Sequence, residues 1–206
     1  MLTTTYEEAL ILAAELHRTQ KRKGSEIPYL SHLMSVSALV LENGGTEEEA
    51  IAGLLHDAIE GAKDGPAAER VRTEIGDRFG VAVLSIVEAC TDADAGEKAV
   101  ENQQDIEERR RRWRIRKERY IEHLETAPGP VLLVSACDKV HNARAIVRDV
   151  QVGGRGIFGR FLGGEVGTLW YYGALAEAFE GRVPNDPRIG WLADELARQV
   201  ASMESA

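Results

Sequence analysis

The spacing of apolar positions along the chain is helical almost throughout. Thr5, followed three residues later by Glu8, has the form of a capping box and predicts a helix running to about Gln20. Pro28 and Tyr29 open a second predicted helix carrying Leu33, Val36, Leu39 and Val40, closed by Gly44 and Gly45. Thr46 with Glu49 repeats the capping pattern ahead of Ile51, Leu54, Leu55 and Ile59. Pro66 suits the first turn of a helix ending at Gly80, and Val81 to Ala89 reads as another short one. A long polar helix is expected from about Glu97 to Leu124, and Pro128 and Pro130 divide it from Val131 to Val150. Gly153 to Gly167 contains seven glycines and reads as a loop able to close over a site. Thr168 is the expected cap of a helix from Leu169 to Phe179 that Gly181 stops. Asp186 and Pro187 open a terminal helix ending near Met203.

Residues 130–137 have the composition of a strand, but they run into a helical pattern without a break. Alternating strand pairs, hairpin dipeptides and internal repeats are absent from the sequence. The expectation is an all-α fold: one compact multi-helix bundle over 1–206, with a core at about 6–180 and a final helix at about 186–203.

Composition narrows the setting. A chain of 206 residues, 44% apolar and 29% charged, has the profile of a globular protein with one substantial core. The net charge of −9 argues against nucleic acid or an anionic membrane as a partner, so an anionic ligand would need a local cluster of cations or a metal. Cys90 and Cys137 make no disulfide framework, and the N-terminus carries Glu7 and Glu8 where a signal peptide needs basic residues. A cytoplasmic protein is expected.

The informative segment is Ile51-Ala52-Gly53-Leu54-Leu55-His56-Asp57-Ala58-Ile59-Glu60. Apolar residues surround this helix instead of lining one face, which predicts burial. A buried His, Asp and Glu are costly unless they pair with one another or coordinate a metal. Local hydrogen bonding between His56 and Asp57 would satisfy the pattern as well as an ion would. His56 and Glu60 lie one turn apart, leaving a second carboxylate for proton transfer. Asp138 follows the apolar run 131–134 and has Asn142 one turn on, and His32 stands at the start of the second helix after the basic cluster Lys21, Arg22 and Lys23. Two His and two Asp make a mixed nitrogen–oxygen set suited to Mn²⁺, Fe²⁺ or Zn²⁺.

These residues resemble the HD-domain phosphohydrolases, specifically the hydrolase domain of RelA/SpoT homologues and the small alarmone hydrolases. The resemblance covers roughly Tyr6 to Phe179 and rests on an ordered set of motifs. They are His17-x-x-Gln20-x-Arg22-Lys23-Gly24, with one residue extra in this chain before Pro28-Tyr29; Leu54-Leu55-His56-Asp57; Phe79-Gly80; Thr91-Asp92; and Asp138-Lys139-x-x-Asn142. It implies that His32, His56, Asp57 and Asp138 bind one Mn²⁺, and that Arg22, Lys23 and Asn142 help hold a phosphorylated nucleotide. The implied reaction is release of pyrophosphate from the 3′ position of (p)ppGpp, with Glu60 orienting or deprotonating the water. In the alarmone hydrolases His-Asp is followed after two residues by Glu-Asp, whereas this chain has Glu60-Gly61, with Asp64 further on. That departure leaves two other readings: an HD phosphatase of another phosphorylated nucleotide, and an alarmone-binding regulator without turnover. A helical scaffold without metal is a third.

Eight Arg or Lys residues lie between Arg109 and Arg119, and most are expected on a solvated helix face balanced by neighbouring acids. Trp113, Lys117, Tyr120 and Leu124 form one stripe, which turns Lys117 toward the apolar side and a substrate's pyrophosphate. Tyr172, among the aromatics after the glycine-rich segment, is the remaining candidate contact to ribose or phosphate.

Overall fold

A computed structural model of the protein describes residues 1–91 and 104–206. The first helix, α1 (Thr4–Leu16), is capped by Thr3, whose side chain accepts the Thr5 amide. The capping box expected at Thr5 does not form, and a single side-chain cap stands two residues earlier. Thr3 wins because its own amide and hydroxyl are held by Glu47 Oε1, at 2.6 and 2.9 Å. The helix also stops short of Gln20. His17 caps it and pairs its ring with Gln20, and the chain turns so that Lys21 and Pro28 form an isolated bridge.

Helix α2 (Leu30–Glu42) and α3 (Glu47–Leu55) form a tightly packed pair. The Thr46/Glu49 box is present in both directions, an arrangement worth about 1 kcal/mol. Glu49 serves a second purpose: buried at the helix start, its carboxylate accepts Arg188 Nη1 at 3.0 Å and ties α3 to the far end of the chain.

The two helices expected on either side of Gly80 are both present and follow one another without a loop within α4 (Gly65–Cys90), with a kink where Gly80 takes φ 88°. That positive-φ backbone is open to glycine at little cost, so Gly80 ends the first helical stretch and turns the chain into the second. Glu97, where the polar helix is expected to begin, lies outside the described residues, as does Asp92; within them α5 covers Ile106–Thr126 and is capped by Asp105.

Helix α6 (Gly129–Gly153) is the central rod and includes 130–137, which is helical and not a strand. It packs against α2, α3 and α4, against α7 (Gly164–Arg182), and against the last helix, α8 (Gly190–Ser205). Its residues are buried on every side from Val131 to Asp138. The all-α expectation holds: among the described residues no strand is formed.

The glycine-rich segment departs from the expected loop. It contains a 3₁₀ helix at Arg155–Arg160, and α7 begins at Gly164, so Thr168 lies inside the helix and donates to the Gly164 carbonyl at 2.6 Å instead of capping it. Gly163 and Gly167 serve close packing: a Cβ at Gly163 would sit 2.5 Å from the Trp113 ring, and one at Gly167 3.0 Å from it. Asp186 caps a 3₁₀ turn, Pro187–Ile189, from which α8 continues.

Candidate metal centre and adjoining cleft

Three helices bring the candidate ligands to one point. His32 lies in the first turn of α2, His56 caps the C-terminus of α3 with Asp57 next to it, and Asp138 sits midway along α6. All three apart from Asp57 are buried, and Asp57 is half-buried. His56 Nε2 lies 2.9 Å from Asp57 Oδ2 and 3.6 Å from Asp138 Oδ1. His32 Nε2 lies 3.2 Å from Asp138 Oδ1 and 3.7 Å from Asp57 Oδ2. Donor atoms that share an ion at about 2.1 Å stand about 3 to 3.4 Å apart, depending on geometry. The observed separations bracket that range.

Neither His32 Nε2 nor His56 Nε2 completes a well-directed hydrogen bond, although both are fully enclosed. Two buried imidazole nitrogens aimed at two carboxylates need a cation between them, which a proton on a ring or a metal ion can supply. The residues fit a divalent ion, and the ligand atoms of His32, His56 and Asp57 all lie within 4.8 Å of one another.

The surroundings hold these groups in place. His56 Nδ1–H donates to the Gly53 carbonyl at 2.9 Å, so that in the neutral ring the lone pair is on Nε2. Tyr29 donates its hydroxyl to Asp57 Oδ2 at 2.5 Å. Asp138 accepts Lys139 Nζ at 2.6 Å on one oxygen and the Asn142 amide at 2.5 Å on the other. Arg22 Nη2 then donates to the Asn142 carbonyl oxygen at 2.8 Å. His32 Nδ1 meets His141 Nδ1 at 2.8 Å.

Charge follows from these contacts. Burial disfavours the His56 imidazolium, but Asp57 and Asp138 outweigh it and raise its pKa well above the ordinary value. Burial also opposes the two carboxylates; His56 nonetheless holds Asp57 below its usual range, and Lys139 with the histidines does the same for Asp138. His32 moves the other way, lowered chiefly by burial. Burial, reinforced by Asp57, pushes the Tyr29 hydroxyl up, so it stays a donor.

One cavity adjoins this centre and a second adjoins the first. The first, of about 260 Å³, opens beside Tyr29 and Asn142 and is lined by Arg22, Lys23, Arg148 and Arg160. The other, about 400 Å³, is lined by Arg109, Trp113, Arg116 and Lys117. They share a wall of Lys23, Ile146, Phe161 and Tyr172. Burial first, then the nearby charges of Arg109 and Arg160, lowers the Lys23 pKa. So many cations around one cleft is a setting that favours an anion.

The structure thus brings His32, His56, Asp57 and Asp138 together and places Arg22 and Asn142 one contact away. Lys23, Lys117 and Tyr172 line the cleft, and Lys117 Nζ stands 4.8 Å over the Tyr171 ring. Glu60 lies half-buried in the turn after Asp57. Sequence reasoning passed over Tyr29, His141 and Lys139. His141 was legible in principle, three residues beyond Asp138 and on its face of the helix.

An all-helical domain whose central helices bury two imidazoles against two carboxylates defines a class of metal-centre proteins built on helix termini and a central rod. Within that class the chain belongs to the HD domain family, whose model matches residues 9–161. It is 38% identical over 85 residues to the guanosine-3′,5′-bis(diphosphate) 3′-pyrophosphohydrolase of Aquifex aeolicus, covering 41% of this chain and 11% of that protein. It is 30% identical over 142 residues to the GTP pyrophosphokinase of Myxococcus xanthus, covering 68% and 17%. The chain spans less than a fifth of the length of the curated relatives it matches. Among solved structures, a metazoan SpoT ortholog described as hydrolysing ppGpp superposes with a TM-score of 0.66 at 23% identity, covering 97% of each chain, and shares the fold.

Proposed function

We propose that this chain is a metal-dependent phosphohydrolase that releases pyrophosphate from the 3′ position of (p)ppGpp. The observation that carries the reading is the convergence of His32 Nε2 and His56 Nε2, each without a well-directed hydrogen bond, on oxygens of Asp57 and Asp138. These four residues hold one Mn²⁺ in this proposal. When bound, the ion acidifies a water and offsets charge developing on a phosphoryl group. The Aquifex aeolicus relative and the metazoan structure, named for that chemistry, support the choice of substrate.

The chain's own residues divide the remaining work. Glu60, in the turn that follows Asp57, orients the water and accepts its proton. Tyr29 and Lys139 hold the carboxylates of Asp57 and Asp138 in place, and Lys139 helps keep Asp138 ionised. Arg22, Lys23 and Asn142 anchor the phosphates nearest the centre, while Lys117 and Tyr172 reach the part of the nucleotide in the larger cavity. Both cysteines are free and buried, which suits a reducing compartment such as the cytoplasm. No helix among the described residues is long and apolar enough to cross a membrane.

A second reading has one observation in its favour. Where the resemblance expects a second acidic residue, Gly61 packs its backbone near His17 and Gln20, so the place is occupied by other side chains. An alarmone-binding regulator without turnover would have this arrangement. Incubation with ppGpp, with Mn²⁺ or with a chelator, separates the readings. Pyrophosphate released only with the metal supports hydrolysis at the 3′ position, orthophosphate marks a phosphatase that removes a terminal phosphate instead, and tight binding with neither product favours the regulator.

A further inference from the structure

The contact between His32 and His141 carries more than packing. Their Nδ1 atoms are 2.8 Å apart, and the ring centroids are 4.8 Å apart with a 42° tilt. A hydrogen bond between two imidazole nitrogens needs one N–H and one lone pair. A neutral imidazole has a single proton, so placing it on one ring nitrogen opens the other. His56 has this settled by its own backbone: Gly53 offers a carbonyl, which only accepts, so the His56 proton sits on Nδ1. His32 has no carbonyl partner at Nδ1. Its tautomer depends on which role His141 takes.

We infer that His141 is a positioning residue for the metal centre: its Nδ1 accepts the His32 Nδ1–H and thereby fixes the His32 tautomer whose Nε2 lone pair faces Asp57 and Asp138. The inference rests on the metal reading proposed above and adds a residue to it. The opposite direction, with His141 donating, leaves the His32 proton on Nε2, 3.2 Å from Asp138 Oδ1, where it blocks the ion. His141 and Asp138 share α6, so the helix that supplies one carboxylate also orients an imidazole from α2. Coordinating histidines commonly hand their second N–H to such an acceptor, and loss of the acceptor typically costs ten- to a hundredfold in metal affinity.

The test uses the intact chain, with Mn²⁺ binding followed by calorimetry and with Zn²⁺, which is diamagnetic, for NMR. His141→Leu removes the acceptor and is expected to weaken Mn²⁺ binding about tenfold to a hundredfold. His141→Asn keeps an accepting oxygen near the same place and is expected to stay within a few-fold of wild type, with thermal melts showing both variants folded. In Zn²⁺-loaded wild type, ¹⁵N spectra are expected to show the His141 Nδ1 unprotonated and coupled through the hydrogen bond to His32 Nδ1. A protonated His141 Nδ1 in that spectrum overturns the inference. So does a His141→Leu variant that binds Mn²⁺ as wild type does, in which case the metal reading survives alone. A wild-type chain that binds neither ion brings down the metal reading and this assignment with it.

Discussion

Adding a side chain at Gly61 tests whether the place of the expected second acid is open or filled. The Gly61 amide donates to the Asp57 carbonyl at 2.8 Å, and a Cβ at this position would lie 3.0 Å from that oxygen and 3.2 Å from His17 Cε1. Neither neighbour yields easily. The carbonyl is main chain of a candidate ligand, and His17 is buried, bonded through Nδ1–H to Gln20 at 2.7 Å and stacked on Tyr29 at 5.4 Å. Overpacking of this kind costs about 1–3 kcal/mol, while stiffening the unfolded chain returns about 0.4–1 kcal/mol. Gly61→Ala is therefore expected to lose about 1 kcal/mol net, or about 2–4 °C in Tm for a domain of this size. Gly61→Asp adds a third carboxylate beside Asp57 and is expected to lose more without metal, with Mn²⁺ recovering part of the loss by offsetting the repulsion. Thermal melts of both variants with and without Mn²⁺, alongside pyrophosphate release, measure this. Variants that melt at or above wild type, or a gain in release by Gly61→Asp at unchanged Tm, would show the place to be open and refute the steric argument.

Two further outcomes follow from the geometry. Saturating Mn²⁺, at about a hundred times Kd, is expected to stabilise the chain by about 2.7 kcal/mol, a rise of about 5–10 °C that His56→Ala abolishes; an equal rise in the variant would place the ion elsewhere. Gly163→Ala, with its Cβ 2.5 Å from the Trp113 ring, is expected to cost about 1–3 kcal/mol in a chemical-denaturation curve, while Gly173→Ala, inside the helix that Gly163 precedes and with nothing within 4 Å, is neutral or stabilising.

Much of this architecture was legible in the sequence because its signals are local. The Thr46/Glu49 box, the 3.6-residue spacing of α2 and the all-round burial of α6 each depend on residues within a few turns. The misplaced elements depend on distant partners. Thr3 displaces Thr5 as a cap because Glu47 holds it, and α7 starts at Gly164 because Gly163 and Gly167 admit the Trp113 ring. The metal-centre candidates stood out as costly polar residues in apolar segments, and that cost is what brings them together. Tyr29 and Lys139 carried no such signal. A tyrosine after proline and a lysine beside an aspartate are ordinary until the fold shows the carboxylate each one touches. The glycine at position 61 was visible as a gap, but the side chains filling it come from the end of α1.

In the proposed metal centre, proton balance at His56 is expected to set the affinity profile. Without metal, the raised pKa keeps His56 charged at neutral pH, against the carboxylates of Asp57 and Asp138 and beside Lys139. This contribution to folding is fully present below the unfolded imidazole value near 6.5, and it is lost as pH rises through the raised folded value. A divalent ion needs the Nε2 lone pair, so binding in that range displaces one proton, and apparent Kd should fall about tenfold per pH unit until the folded pKa is passed. His32 gives up no proton there, because burial already keeps it neutral. The local charge then changes from balanced, with two carboxylates against His56 and Lys139, to one net positive, with the same carboxylates against Lys139 and a divalent cation. Loading thus turns a neutral cluster into an attractor for a phosphoryl anion. Calorimetric Mn²⁺ titrations in buffers of different ionisation enthalpy are expected to show about one proton released per ion near pH 7. An affinity that stays flat between about pH 6 and 8 would mean that His56 holds no proton to displace, and the charge argument would fail with it.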